Sequence, residues 1–157
     1  MENKAQLLVD LLIQKGFHIS FAESCTGGMA CARLVDVSNA SKVLDASFVT
    51  YANEAKTRFV GVDPETLAAC GAVSEEVALQ MAKGAAKVSG AEVGVGISGI
   101  AGPSGGTAEK PVGTVCFGFY LNGRELAFTK HFGDLGRTAV RQAAVETVYD
   151  TLLAELI

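Results

Sequence analysis

Apolar positions along the chain follow two repeats, one of three to four residues and one of two, and each change of repeat marks a new element. Leu8, Leu11 and Leu12 share one face of a helix predicted over residues 6–15, which Gly16 ends. Residues 17–22 (Phe-His-Ile-Ser-Phe-Ala) alternate as a half-buried strand does. A polar turn bearing glycines follows at 23–28, and a short helix is predicted over 29–35. A second strand falls at 46–51. Asp63-Pro64-Glu65 then starts a helix with a capping carboxylate, a proline at the first helical position and an acid favourable to the dipole; Gly71 closes it. Ser74 opens the next helix, with Val77, Met81, Ala85 and Val88 as its inward stripe. The apolar, glycine-containing run 92–98 predicts a central strand. Residues 112–121 and 124–132 form a hairpin across Asn122-Gly123, the two-residue turn that matches strand twist. A last helix covers 138–155, with Val140, Ala144, Val148 and Leu152 facing inward.

Helices that alternate with strands early, followed by a late hairpin, predict an α/β fold. The expected architecture is a three-layer sandwich: a mixed, mostly parallel β-sheet with a late antiparallel hairpin and helices on both faces. The 157 residues, 49% of them hydrophobic, fit one domain spanning 1–157.

Thirteen Lys and Arg against 17 Asp and Glu leave a net charge of −4, which argues against a nucleic-acid partner because phosphate binding needs a basic surface. The longest apolar stretches end well short of the roughly 20 residues of a membrane span. The opening Met1-Glu2-Asn3-Lys4 lacks the pattern of a signal peptide, so a cytoplasmic protein without membrane attachment is expected. Cys25, Cys31, Cys70 and Cys116 show no Cys-x-x-Cys spacing and no nearby histidines, so reduced thiols are expected rather than a zinc site or a disulfide framework.

Three segments could carry chemistry. Ser24 stands between a strand and a helix start, where following N–H groups and the helix dipole favour developing negative charge, and Gly27 and Gly28 allow close backbone approach. The alternative is an ordinary helix cap. Cys25 is a rival nucleophile. A nucleophilic serine needs a base, and His18 and His131 both fall in predicted strands. Lys56 follows the second strand by five residues; if the strands at 17–22 and 46–51 are neighbours, Ser24, Tyr51 and Lys56 share one rim of the sheet, where open α/β sheets bind ligands. A partly buried Lys56 could act as a base, the alternative being a solvated lysine on a helix face. The second segment, 99–113, holds five glycines and two prolines, and the exposed N–H groups of this loop could cradle an anion, or it is a flexible connection. Gly94-Val95-Gly96-Ile97-Ser98-Gly99 has the dinucleotide spacing, but its glycines lie inside a predicted strand, no helix follows, and no acid lies about 20 residues on. The third is Arg137 with Arg141, one helical turn apart at the positive end of a dipole, which suits a bridging phosphate or two surface arginines.

Together, Ala22-Glu23-Ser24-Cys25-Thr26-Gly27-Gly28, Tyr51-Ala52-Asn53-Glu54-Ala55-Lys56 with Gly61-Val62, Gly71-Ala72-Val73-Ser74-Glu75-Glu76-Val77, and the run from Gly96-Ile97-Ser98-Gly99 through Lys110-Pro111-Val112-Gly113-Thr114-Val115 resemble the CinA C-terminal domain family. The resemblance covers essentially the whole chain. Characterised members are nicotinamide mononucleotide (NMN) deamidases, so it implies a serine–lysine amidohydrolase with Ser24 as nucleophile, Lys56 as base and Tyr51 in support. It implies a substrate-binding set of Thr26, Gly27, Gly28, Ser98, Gly99, Gly102, Gly105, Gly106, Thr107, Arg137 and Arg141, with no cofactor or metal. The family pattern Gly-Asp-Arg-x-x-Val-Arg is interrupted here, since Leu135-Gly136 separate Asp134 from Arg137. The expected reaction is acyl transfer from NMN to give nicotinate mononucleotide and ammonia in pyridine-nucleotide (NAD) recycling. The alternatives are an amidase for another small carboxamide, or a non-catalytic nucleotide-binding or partner-docking module. Apolar faces on the first and last helices would allow a homo-oligomer, a dimer being favoured.

Overall fold

The computed structural model describes residues 3–157. Strands β1 (Ile19–Glu23), β2 (Phe48–Val49), β3 (Val93–Gly99), β4 (Thr114–Leu121) and β5 (Arg124–His131) form one sheet in the order β2-β1-β3-β4-β5. β1 runs parallel to β2 and β3, while β4 is antiparallel to both β3 and β5, so β4 alone runs against the rest. This is the mixed, mostly parallel sheet expected from the pattern.

The two faces of the sheet differ in side-chain size, and that difference sets the layers. Phe21, Val95, Ile97, Phe117 and Phe119 pack into the larger core with α1 (Lys4–Lys15), α2 (Met29–Val35) and α6 (Arg137–Leu156). The other face is built of small residues. Gly94, Gly96 and Gly118 lie against α5 (Glu75–Ser89), and a Cβ on any of them would collide with the Ala82 or Ala78 carbonyl. The glycines that mimic a dinucleotide motif are therefore sites of close helix–sheet contact. Helices α3 (Asn53–Val60) and α4 (Pro64–Cys70) complete this layer. Gly84 costs α5 some helix propensity, but its missing Cβ lets the Val60 carbonyl of α3 rest against the helix. That close approach fixes where α3 lies.

Several sequence expectations need correction. Helix α3 has no counterpart in the predicted elements, and the strand expected at 46–51 shrinks to two paired residues. Phe17 and His18 lie outside β1, which instead extends to Glu23. β1 is buried along all five residues rather than on alternate ones, because neighbouring strands flank it and helices cover both faces. Val88 was expected in the buried stripe of α5 but is 58% exposed. Leu11 is half-buried. No helix of the described residues is long and apolar enough to cross a membrane.

Candidate active site

Ser24 leaves the C-terminal end of β1 with its N–H donating to the Ile97 carbonyl of β3 at 2.9 Å, which fixes the residue at the sheet rim. Lys56 sits in the first half of α3 and turns inward to that rim, 1% exposed. Its Nζ lies 3.3 Å from Ser24 Oγ and donates to the Thr50 and Tyr51 carbonyls at 2.9 and 3.1 Å. Burial pushes the Lys56 amine below its ordinary 10.5, since the charged form loses hydration that two carbonyl dipoles replace only in part. Lys56 is thus not a solvated lysine on a helix face. Ser24 is not a helix cap either: the N-cap of α2 is Gly28, and no side chain of that residue type can close it.

These groups open into a cleft of about 260 Å³. Ser24, Lys56, Tyr51, Ser98, Gly99, Gly102, Gly105 and Arg137 line it. Thr26, Gly27, Gly28, Gly106, Thr107 and Arg141 lie outside its lining. Thr107 and Lys110 close a turn of their own, and Lys110 Nζ donates to the Cys70 carbonyl at 2.7 Å, fastening the 99–113 loop to the segment before α5. Arg137 spans the mouth of the cleft, donating to the Gly102 carbonyl and the Tyr51 hydroxyl, both at 2.9 Å. Arg141 points to the Ser24 turn and donates to the Cys25 carbonyl at 2.9 Å and the Thr26 carbonyl at 3.2 Å.

The rival groups lie in unsuitable surroundings. Cys25 is buried, and burial pushes its thiol up to about 11, far from a thiolate at neutral pH. His18 pairs with Asp45, and His131 contacts Thr114; neither lines the cleft. Among the described residues no group of three or more His, Cys, Asp or Glu is placed to hold a metal ion.

Sequence reasoning overlooked Glu23. Its carboxylate is wholly buried and accepts from Thr26 Oγ1 at 2.6 Å and from the N–H groups of Ala30 and Cys31 at 2.9 and 3.0 Å. The available signal was a glycine-rich helix start with no capping side chain and a carboxylate a few residues upstream. Asn53 and Ser104 also line the cleft, and neither carries any pattern that would single it out.

The whole chain matches proteins of one kind. Residues 1–156 match the family model "CinA C-terminal domain". The chain is 44% identical over 156 residues to a CinA-like protein of Kosmotoga olearia, covering 99% of this chain but 38% of that protein. It likewise spans about a third of a putative competence-damage inducible protein of Clostridium tetani (36%), to which it is 48% identical. A shorter relative, the nicotinamide-nucleotide amidohydrolase PncC of Enterobacter agglomerans, is 48% identical over 145 residues, with 91% of this chain and 87% of that protein covered. The crystal structure of the competence/damage inducible protein CihA from Agrobacterium tumefaciens superposes with a TM-score of 0.93 at 45% identity, covering 96% of this chain and 92% of that one. Sheet order, the serine turn and the glycine-rich loop thus occur in a chain matched from end to end, and the protein belongs to the CinA C-terminal domain family.

Proposed function

We propose that the protein hydrolyses the carboxamide of NMN to nicotinate mononucleotide and ammonia, through an acyl-enzyme on Ser24, as a step of NAD recycling. The single observation that carries the mechanism is the buried Lys56 amine 3.3 Å from the Ser24 hydroxyl. The substrate is suggested by the relative named nicotinamide-nucleotide amidohydrolase.

A neutral amine has two N–H groups and one lone pair. The Thr50 and Tyr51 carbonyls accept the two N–H groups, which leaves the lone pair directed at Ser24 Oγ. Lys56 then takes the hydroxyl proton as Oγ bonds to the carboxamide carbon. As the tetrahedral intermediate collapses, the C–N bond breaks and the same proton leaves with ammonia. Lys56, neutral again, takes a proton from water as it attacks the ester, and returns it to Ser24 Oγ when the acid departs. Arg137 is the cation at the cleft mouth and exchanges its bonds to Gly102 and Tyr51 for the substrate phosphate, which its forked guanidinium fits. Incubating the purified protein with NMN and a chelator tests the reading: stoichiometric ammonia and nicotinate mononucleotide support it, and NMN recovered intact rejects it.

A further inference from the structure

The turn that carries Ser24 is held by two side chains outside the cleft lining. In most helices the N-cap side chain takes the first free N–H groups. The N-cap of α2 is Gly28, with φ 104°, and it has no side chain to do so. Glu23 supplies the cap from the end of β1 instead, one oxygen to the Ala30 N–H and the other to the Cys31 N–H, and it also holds the Thr26 hydroxyl. From the opposite side Arg141 donates to the carbonyls of Cys25 and Thr26. Ser24 N–H is bound to Ile97, and Gly27 N–H to the Ser24 carbonyl. The backbone N–H groups of Cys25 and Thr26, immediately after the nucleophile, donate to no carbonyl of the described residues.

We propose that Glu23 and Arg141 are positioning residues that clamp the 24–28 turn so that the N–H of Cys25, which lines the cleft beside Ser24, forms the oxyanion site. Arg141 is then committed to the turn, and phosphate recognition falls to Arg137. The proposal rests on Ser24 being the nucleophile. A fixed N–H donor stabilises charge that exists only in the transition state, so loosening the turn lowers kcat and leaves substrate binding alone.

Glu23→Gln keeps the shape but turns one acceptor into a donor that faces an N–H. We expect kcat for NMN to fall about a hundredfold with KM within about threefold of wild type. Arg141→Ala gives the same split, lowering turnover of NMN and of the phosphate-free riboside by equal factors, and Arg141→Lys, with one donor nitrogen in place of the fork, recovers part of the loss. A fluorophosphonate probe gives a readout independent of NMN: Ser24 Oγ bonds to phosphorus, fluoride leaves, and the hydroxyl proton passes to Lys56. Labelling slows in both variants. Normal kcat in Glu23→Gln overturns the proposal, as does an Arg141→Ala enzyme whose KM for NMN rises tenfold while riboside turnover is unchanged. If Glu23→Gln does not fold, the Arg141 pair decides alone. A wild-type Ser24 that resists the probe overturns both the clamp and the nucleophile, whereas a labelled enzyme that leaves NMN intact removes only the substrate.

Discussion

Two serines stand at helix entries of this molecule, equally buried at 9% exposure, and they do different things. Ser74 opens α5: its hydroxyl accepts from the Val77 N–H at 3.2 Å and donates to the Gly71 carbonyl at 2.8 Å. Both of its hydrogen-bonding directions go to backbone. Ser24 precedes α2, but the cap there is provided by Glu23, so the Ser24 hydroxyl is free to meet Lys56. On the proposed mechanism a serine becomes reactive where another group relieves it of the capping role and a desolvated amine stands opposite. Residue type and burial are the same at the two sites; the partner differs.

The largest effect comes from breaking the proposed Ser24–Lys56 pair. Ser24→Ala and Lys56→Ala should each lower ammonia release by about a thousandfold or more, with the thermal transition retained, because nucleophile and base act as one unit. Near-normal turnover in Lys56→Ala would put the base elsewhere. Next, Arg137→Ala should erase the preference for NMN over its riboside, a loss of about ten- to a hundredfold for a charged hydrogen bond, read as the ratio of kcat/KM values. A third measurement follows the amine itself. Only the neutral form accepts a proton, so kcat/KM rises with pH and levels off at the Lys56 pKa, which burial holds below 10.5. The rate falls about tenfold per pH unit below that midpoint. A midpoint at or above 10.5 would contradict a desolvated lysine. The smallest effect belongs to the other serine: Ser74→Ala removes a cap and should cost about 1 kcal/mol in denaturant unfolding while leaving kcat unchanged.

The same contrast explains what could be read from the pattern of residues. Asp63 and Ser74 cap α4 and α5 as the sequence suggests, because capping is local and the residue types state it. The Asn122-Gly123 hairpin joins β4 and β5 for the same reason. Helix α3 was missed because it is short, carries the mostly polar stretch NEAKTRFV and shows no clear apolar stripe. Its place is fixed by Gly84 of α5 and by its own Val60, which with Val62 packs against Val77, Met81 and Ala85 of α5, residues far from α3 in the chain. Lys56 therefore looks like a surface lysine in sequence and becomes a buried amine beside Ser24 only when α3 docks.

Hydrophobic period, turn chemistry and four ordered motifs determined the α/β class, the hairpin, most helix starts and the serine turn, since each depends on residues close together in the chain. The tertiary structure decided that a lysine 32 positions from Ser24 loses its water beside it, that Glu23 replaces the missing cap, and that Arg141 grips the turn while Arg137 faces the cleft. Desolvation and capping from a distance depend on which surfaces meet, and that is settled only when the sheet and its two helix layers close together.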